Sequence, residues 1–127
     1  MENFALIGLA GYIAPRHLRA IKETGNTLLV AYDPFDSVGI IDSYFPQARF
    51  FTEQELFDRF NQSLRATGSP ITYLTVCSPN YLHTPHALYG LRLGANVICE
   101  KPLALNPEDI DELQELERLS GRSVYSI

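Results

Sequence analysis

Six short apolar runs recur along the chain, and segments with helical periodicity separate most of them. The runs cover residues 4–9, 27–32, 48–51, 71–77, 96–99 and 123–127. They lack the regular alternation of apolar and polar residues that is typical of a sheet with one face in water. Apolar strands joined by helices predict a parallel sheet that helices cover on both faces. The chain is therefore predicted to form a doubly wound α/β fold.

The order of the strands follows from the handedness of their connections. Crossovers between parallel strands are right-handed in nearly all proteins, and a doubly wound sheet built this way has the order 3-2-1-4-5-6 of the Rossmann fold. Strands 1 and 4 are then neighbours whose connections run to opposite sides. We expect a ligand crevice at their carboxyl ends, within a single domain covering residues 1–127.

The helices between the runs have recognisable start and stop signals. A helix is predicted from about residue 14 to residue 23, and a second, short one follows Asp36. Three further starts are predicted: a capping box formed by Thr52 and Glu55, Thr84 as N-cap before Pro85, and Asn106 as N-cap before Pro107. Gly94 and Gly121 are predicted to end the last two helices.

Composition limits the possible partners. The 127 residues are 46% hydrophobic, which suits one globular domain with a core, and the formal net charge of −5 argues against binding to nucleic acid. No apolar stretch reaches the roughly 20 residues that a membrane span needs. The N-terminus lacks the basic region of a signal peptide, so we expect a cytoplasmic protein. Cys77 and Cys99 are expected to be reduced core residues, and no metal site is predicted.

The turn after the first run carries glycines at a spacing that favours a dinucleotide. The sequence GLAGYIA places Gly8 at the turn and Gly11 facing the phosphates, with Ala14 packing the helix onto the strand. Tyr12 and Ile13 lie in the same turn and are included in the predicted cofactor site. Because glycines in such turns often serve the backbone conformation alone, both interpretations stay open for this motif taken by itself.

An acidic residue at the end of the second run strengthens the dinucleotide interpretation. The number of residues between Gly8 and Asp33 is typical of dinucleotide-binding domains. In these domains a carboxylate at the end of the second strand accepts hydrogen bonds from the adenosine ribose hydroxyls. The alternative is that Asp33 only caps a turn before Pro34. Since Pro34, Phe35 and Asp36 stand where an NADP site needs a basic residue, NAD is the predicted cofactor.

The fourth run ends in CSPNYLH, which opens onto the predicted crevice. Ser78 and Asn80 can hydrogen-bond a cofactor there, and Pro79 shapes the turn; an ordinary strand–helix loop is the alternative. His83 either faces the site or caps its helix, and the sequence does not decide between these. A surface role is predicted for His86.

The fifth run ends in Glu100, Lys101 and Pro102, beside the end of the fourth. Oxidation of an alcohol removes a proton as well as a hydride, so a base must lie within hydrogen-bonding reach of the hydroxyl. We expect Lys101 to be catalytic and Glu100 to orient the lysine or the nicotinamide ring, and both residues, like His83, are included in the predicted cofactor site. A surface ion pair is the alternative.

These segments resemble a known family. CSPNYLH, GANVICEKPLALN and the Gly turn before APRH are similar to the N-terminal domain of the Gfo/Idh/MocA oxidoreductases over essentially the whole chain. GYIAPRHLRAIKETGN and DPFDSVGIIDSYFPQARFFTE resemble the members that oxidise UDP-N-acetyl-2-amino-2-deoxyglucuronate at C3 in bacterial surface-polysaccharide (lipopolysaccharide) synthesis.

The resemblance implies that Lys101 belongs to a catalytic pair. Its partner, usually a histidine, and most contacts to a sugar-nucleotide substrate would lie in a C-terminal α/β domain. We therefore expect this chain to be a fragment, monomeric and inactive by itself, of a protein that forms a homo-oligomer, in this family often a tetramer.

Three other functions remain open. The enzymatic alternative is a dehydrogenase of the same family that acts on another sugar or on inositol. A nucleotide-binding regulatory module would keep the Gly turn and Asp33 but has no need of Glu100 and Lys101. A methyltransferase with a similar sheet does not require a lysine after the fifth strand either.

Overall fold

The computed structural model describes residues 1–36 and 38–127, with the backbone alone for Val38. Six parallel strands form one sheet in the order β3-β2-β1-β4-β5-β6, which confirms the predicted fold class and strand order. The strands are β1 (Asn3–Ile7), β2 (Thr27–Tyr32), β3 (Arg49–Phe51), β4 (Tyr73–Val76), β5 (Asn96–Cys99) and β6 (Val124–Ser126).

Helices cover both faces of the sheet. They are α1 (Ala14–Glu23), α2 (Val38–Asp42), α3 (Gln54–Ala66), α4 (His83–Leu93) and α5 (Pro107–Ser120), and a 3₁₀ turn at Asn80–Leu82 precedes α4. Successive strand residues point to opposite faces, so Leu6 packs in the cluster beneath α1 and α2, whereas Ile7 packs in the one beneath α3, α4 and α5. The two clusters account for the apolar character of the strands.

Two of the predicted helix starts are wrong. Helix α3 begins after Glu53, which makes no side-chain cap, so Thr52 and Glu55 do not form a capping box. Helix α4 already begins at His83, and the hydroxyl of Thr84 donates to the carbonyl of Leu103 at 3.2 Å instead of capping the helix. The start at Asn106 is confirmed, because its side chain accepts from the N–H of Asp109. Gly94 and Gly121 end their helices in the left-handed conformation as predicted.

The register of the strands brings four strand ends to one edge of the sheet. Ile7 pairs with Tyr32 on one side and Val76 on the other, and Val76 pairs with Cys99. The residues that directly follow these strands therefore leave the sheet side by side. No helix in the described part of the chain is long and apolar enough to span a membrane.

Candidate cofactor-binding and catalytic site

A cavity of about 500 Å³ opens beyond the carboxyl ends of β1, β2 and β4. This is the crevice expected at the point where the chain leaves strands 1 and 4 in opposite directions. Its wall contains the predicted residues Gly8, Gly11, Tyr12, Asp33, Ser78 and Pro79, together with Ala10, Pro34, Phe35, Gln54, Cys77, Tyr81, Leu82 and His86. The cavity therefore gathers six of the predicted cofactor-binding residues.

The Gly turn lies directly against the exit of β4. Gly8 has φ of +96°, and a Cβ atom there would lie 2.4 Å from the backbone of both Cys77 and Ser78. A Cβ atom on Gly11 would lie 2.7 Å from the carbonyl oxygen of Cys77. Gly8 therefore makes the turn as predicted, and both glycines are needed for the close approach of two backbone segments. Ala14 is fully buried at the start of α1.

Asp33 joins β2 to the Gly turn. Its Oδ2 accepts from the N–H of Ala10 at 2.7 Å, and its Oδ1 accepts from the N–H of Phe35 at 2.9 Å. The residue is only 5% exposed, yet it lies in the cavity wall. Because a carboxylate has about four acceptor positions, both oxygens retain capacity for the hydroxyls of a ligand. The turn-capping role considered as an alternative is thus present together with a position suited to binding.

His86 is buried, which corrects the predicted surface role. It is 7% exposed, and its Nδ1 lies 2.7 Å from the hydroxyl of Ser78. Burial first, and then the neighbouring His83, lower the pKa of His86 to about 4. His86 is therefore neutral at physiological pH and supports Ser78 within the cavity wall.

His83 neither lines the cavity nor caps its helix with its side chain. The ring is 2% exposed, and its two nitrogens each lie 2.7 Å from a carbonyl oxygen, that of Ser78 and that of Pro102. It connects the loop after β4 to the loop after β5. His83 therefore has neither of the two roles considered from the sequence, and instead bridges these two loops.

The end of β5 presents Lys101 at the surface. The lysine is exposed, and its backbone N–H donates to the carbonyl of Ile127 at 3.0 Å. The neighbouring Glu100 points elsewhere than expected: its Oε1 lies 2.8 Å from Nε2 of His17 on α1. Glu100 is therefore paired with a histidine rather than with the lysine, which was one of the two groups it was expected to orient; its predicted role toward the nicotinamide ring stays a prediction.

The remaining predicted residues lie outside the cavity wall. These are Ile13, Asn80, His83, Glu100 and Lys101; Ile13 precedes α1 and packs on the core, and Asn80 is exposed in the 3₁₀ turn. Sequence analysis missed His17 and gave His86 the wrong environment. Helical spacing carried a signal for His17, which lies on the face of α1 that buries Ala14, Leu18 and Ile21.

The two cysteines behave as predicted. Both are free and buried at the ends of β4 and β5. Burial, with Glu100 as a smaller cause, raises the pKa of Cys99 to about 12 and raises that of Cys77 still further. No group of three or more potential metal ligands occurs among the described residues.

The residues of the cavity fit NAD. The turn leads directly into the first turn of α1, and the N-terminus of a helix attracts a pyrophosphate. The carboxylate of Asp33 suits a ribose diol. Within the described chain no lysine or arginine lines the cavity, which would be needed for the 2′-phosphate of NADP.

Comparison with known proteins points to the same chemistry. The profile of the oxidoreductase family with an NAD-binding Rossmann fold (Gfo/Idh/MocA) matches residues 2–126. Crystal structures of the WlbA (WbpB) dehydrogenase from Thermus thermophilus, one with NAD and α-ketoglutarate and one with NAD and UDP-GlcNAcA, superpose with a TM-score of 0.97. They are 54% identical in sequence and cover 100% of this chain.

Two curated relatives extend the comparison. D-glucoside 3-dehydrogenase of Escherichia coli is 32% identical over 93% of the chain, and 2,7-anhydro-N-acetylneuraminate hydratase of Mediterraneibacter gnavus is 47% identical over 87%. The chain spans only 32% and 27% of these two proteins and 41% of the Thermus thermophilus enzyme.

Proposed function

Because the chain belongs to the Gfo/Idh/MocA oxidoreductase family and forms its NAD-binding Rossmann domain, we propose that the whole protein oxidises a sugar nucleotide. The proposed substrate is UDP-N-acetyl-2-amino-2-deoxyglucuronate (UDP-GlcNAcA), and the proposed position is the 3-hydroxyl. The observation that carries this proposal is the 54% identity, over the full chain, to a dehydrogenase crystallised with NAD and UDP-GlcNAcA. The name of the D-glucoside 3-dehydrogenase supports the position.

NAD would be held by the residues that form the cavity. The turn from Gly8 to Ile13 would receive the pyrophosphate at the start of α1, and Asp33 would accept from the adenosine ribose. Ser78 and Pro79 would form the wall on the side of β4, and Asn80, exposed in the following 3₁₀ turn, would contact the cofactor from outside that wall. When bound, NAD supplies the hydride acceptor that alcohol oxidation requires.

Lys101 would remove the proton of the reacting hydroxyl. A base is required because the hydroxyl proton must leave as the hydride is transferred. The lysine is exposed at the end of β5, next to the strand whose exit forms the cavity wall, so a sugar approaching from solvent can reach it. Its catalytic partner and most substrate contacts would come from a second domain. That proposal is supported by the 41% coverage of the Thermus thermophilus enzyme.

The assembly and location of the whole protein stay predictions. We propose a homo-oligomer, with the tetramer as the expected state, built by the second domain, and a function in the cytoplasm. Size-exclusion chromatography with light scattering on the whole protein measures its oligomeric state. In the same experiment this chain alone is expected to elute as a monomer.

Turnover by the whole protein tests the proposed chemistry. With NAD and UDP-GlcNAcA, the absorbance of reduced nicotinamide should rise, and Lys101→Ala should lower kcat by about 10²- to 10⁴-fold. The matched control is Lys22→Ala, which replaces the other lysine of the chain, exposed on α1. Wild-type turnover in Lys101→Ala would remove the lysine from the chemistry.

A second candidate substrate is an unactivated glucoside. It is favoured by the 32% identity to the D-glucoside 3-dehydrogenase. The same assay with methyl glucosides in place of UDP-GlcNAcA distinguishes the two, since the preferred substrate gives the higher kcat/KM. No turnover with either class would favour the regulatory module, although the family match favours an oxidoreductase.

A further inference from the structure

The segment Glu100–Pro102 is held on both sides of Lys101 by histidines from two different helices. On one side, Nε2 of His17 in α1 lies 2.8 Å from Oε1 of Glu100. On the other, Nδ1 of His83 in α4 lies 2.7 Å from the carbonyl oxygen of Pro102. The two contacts flank the residue proposed as the base.

The ring of His83 can connect two carbonyl groups because its nitrogens lie on different sides of the ring. Its Nε2 is 2.7 Å from the carbonyl oxygen of Ser78 and its Nδ1 is equally close to that of Pro102. Carbonyl oxygens only accept hydrogen bonds, so each contact places a carbonyl oxygen where a ring N–H can donate to it. The ring is thereby a bridge between the wall of the cofactor cavity and the loop that carries Lys101.

Backbone contacts complete the support of this loop. The N–H of Glu100 donates to the carbonyl of Val76 at 3.2 Å. The hydroxyl of Thr84, next to His83, donates to the carbonyl of Leu103 at 3.2 Å. The backbone before and after Lys101 is therefore fixed, whereas the lysine side chain is exposed.

We propose that His17 and His83 are positioning residues that set the location of Lys101 relative to the bound cofactor. The inference rests on the proposed function, because it needs Lys101 to act as the base. Neither histidine has to touch the substrate: each acts through the backbone or side chain of a residue adjacent to the lysine. The expected effect is large for so indirect a contact, since a misplacement of about 1 Å costs on the order of 10²-fold in rate.

The test uses the whole protein with the variants His17→Gln and His83→Gln. Each should lower kcat by about 10- to 100-fold while the Kd for NAD and the KM for the sugar nucleotide change by no more than about threefold. In a background of Lys101→Ala, neither substitution should lower the residual rate further, because a residue that acts only through the lysine has nothing left to position. That loss of additivity separates positioning from general damage.

Tyr89→Phe is the matched control. Tyr89 lies on α4 like His83, and its hydroxyl accepts from Asn61 and donates to Asp58, away from the Lys101 loop. This variant should lower the unfolding temperature and leave kcat within about twofold. If His83→Gln does not fold, His17→Gln carries the test, because its ring is nearer the surface.

The outcomes separate the two proposals. Wild-type kcat in Lys101→Ala refutes the role of the lysine, whatever the histidine variants do. An inactive Lys101→Ala combined with unchanged kcat in both histidine variants refutes the positioning role and leaves the proposed function intact. Additive losses in the double variants also refute it, since the histidines would then act on something other than the lysine.

Discussion

Four strand ends meet at one edge of the sheet, and the two halves of this edge are built differently. At the ends of β1 and β2, the Gly turn and Asp33 are bound to each other: the buried carboxylate accepts from Ala10, and Gly8 lies against the chain leaving β4. At the ends of β4 and β5, the backbone is supported equally well, but the proposed base, Lys101, is exposed. One half has its functional groups in place, and the other presents its functional group outward.

This difference matches the demands of the two tasks. A dinucleotide is bound by backbone N–H groups and a fixed carboxylate, which a single sheet edge can supply. Proton removal needs a base that meets a substrate approaching from outside the sheet. We therefore expect substitutions in the first half to alter folding and NAD binding, and substitutions of Lys101 to alter turnover alone.

The largest expected effect comes from Gly8→Ala. The new methyl group would lie 2.4 Å from the backbone of Cys77 and Ser78, and the residue has a positive φ. Because backbone atoms cannot move aside as a flexible side chain would, we expect a loss of several kcal/mol in the free energy of unfolding, measured by urea denaturation. NAD binding, measured by calorimetry, should be abolished.

Gly25→Ala is the control for the effect of conformation. Gly25 also has a positive φ, +77°, but no atom lies within 4 Å of its would-be Cβ. It should lose only about 1 kcal/mol. Equal losses at Gly8 and Gly25 would show that the close approach of the turn to β4 is unimportant, and the contrast between the two halves would lose its structural basis.

The next effect is that of Asp33→Ala. It removes the acceptor of two backbone N–H groups, those of Ala10 and Phe35, from a buried position. We expect about 2–4 kcal/mol less stability and an NAD affinity lower by about 10- to 100-fold, or about 1.4–2.7 kcal/mol. Asp42→Ala, at an exposed carboxylate in α2, should change neither.

Unchanged NAD affinity in Asp33→Ala would contradict the assignment of the first half to the cofactor. The lysine supplies the reciprocal measurement, since Lys101→Ala is expected to bind NAD like the wild type. If both substitutions affected binding and turnover alike, the division of the edge into a binding half and a reacting half would be wrong.

Most of the fold could be predicted because its signals are local. Apolar runs, their spacing and the Gly-ended helices identify strands and helices within windows of a few residues. The start of α4 was misplaced because its determinant is distant: the hydroxyl of Thr84 binds the carbonyl of Leu103, 19 residues away, and the 3₁₀ turn before His83 runs directly into the helix. Thr52 fits a capping pattern but lies outside the helix that actually forms.

Some residues of the candidate site could likewise be predicted from the sequence, whereas others could not. Gly8, Asp33 and Lys101 could be proposed because each lies one or two residues after the end of a strand, where a parallel sheet gathers ligand-binding residues. The roles of His17 and His83 could not, because their partners, Glu100 and Pro102, lie 83 and 19 residues away in sequence. Helical spacing indicates that such a histidine is buried, but not which group it meets.

The smallest expected effect concerns His86, at the boundary between the two halves. Its pKa falls from an ordinary 6.5 to about 4 on folding, so between these values the unfolded chain binds a proton that the folded chain does not. Stability from this group is therefore fully present above pH 6.5 and is lost as the pH falls toward 4. The whole shift corresponds to roughly 3 kcal/mol, and because solvent in the cavity screens part of it, we expect the loss to reach about 1–2 kcal/mol.

His86→Gln isolates this contribution. Both proteins contain other groups that titrate on acidification, so the quantity to measure is the difference between the two slopes of unfolding free energy against pH. The wild type should lose more stability than the variant between pH 6.5 and 4. Equal slopes would mean that His86 is protonated as readily when folded as when unfolded. The contact between Ser78 and His86 would then be accessible to water. The Gly turn and Asp33 would in that case not be separated by a dry wall from the half of the edge that carries Lys101.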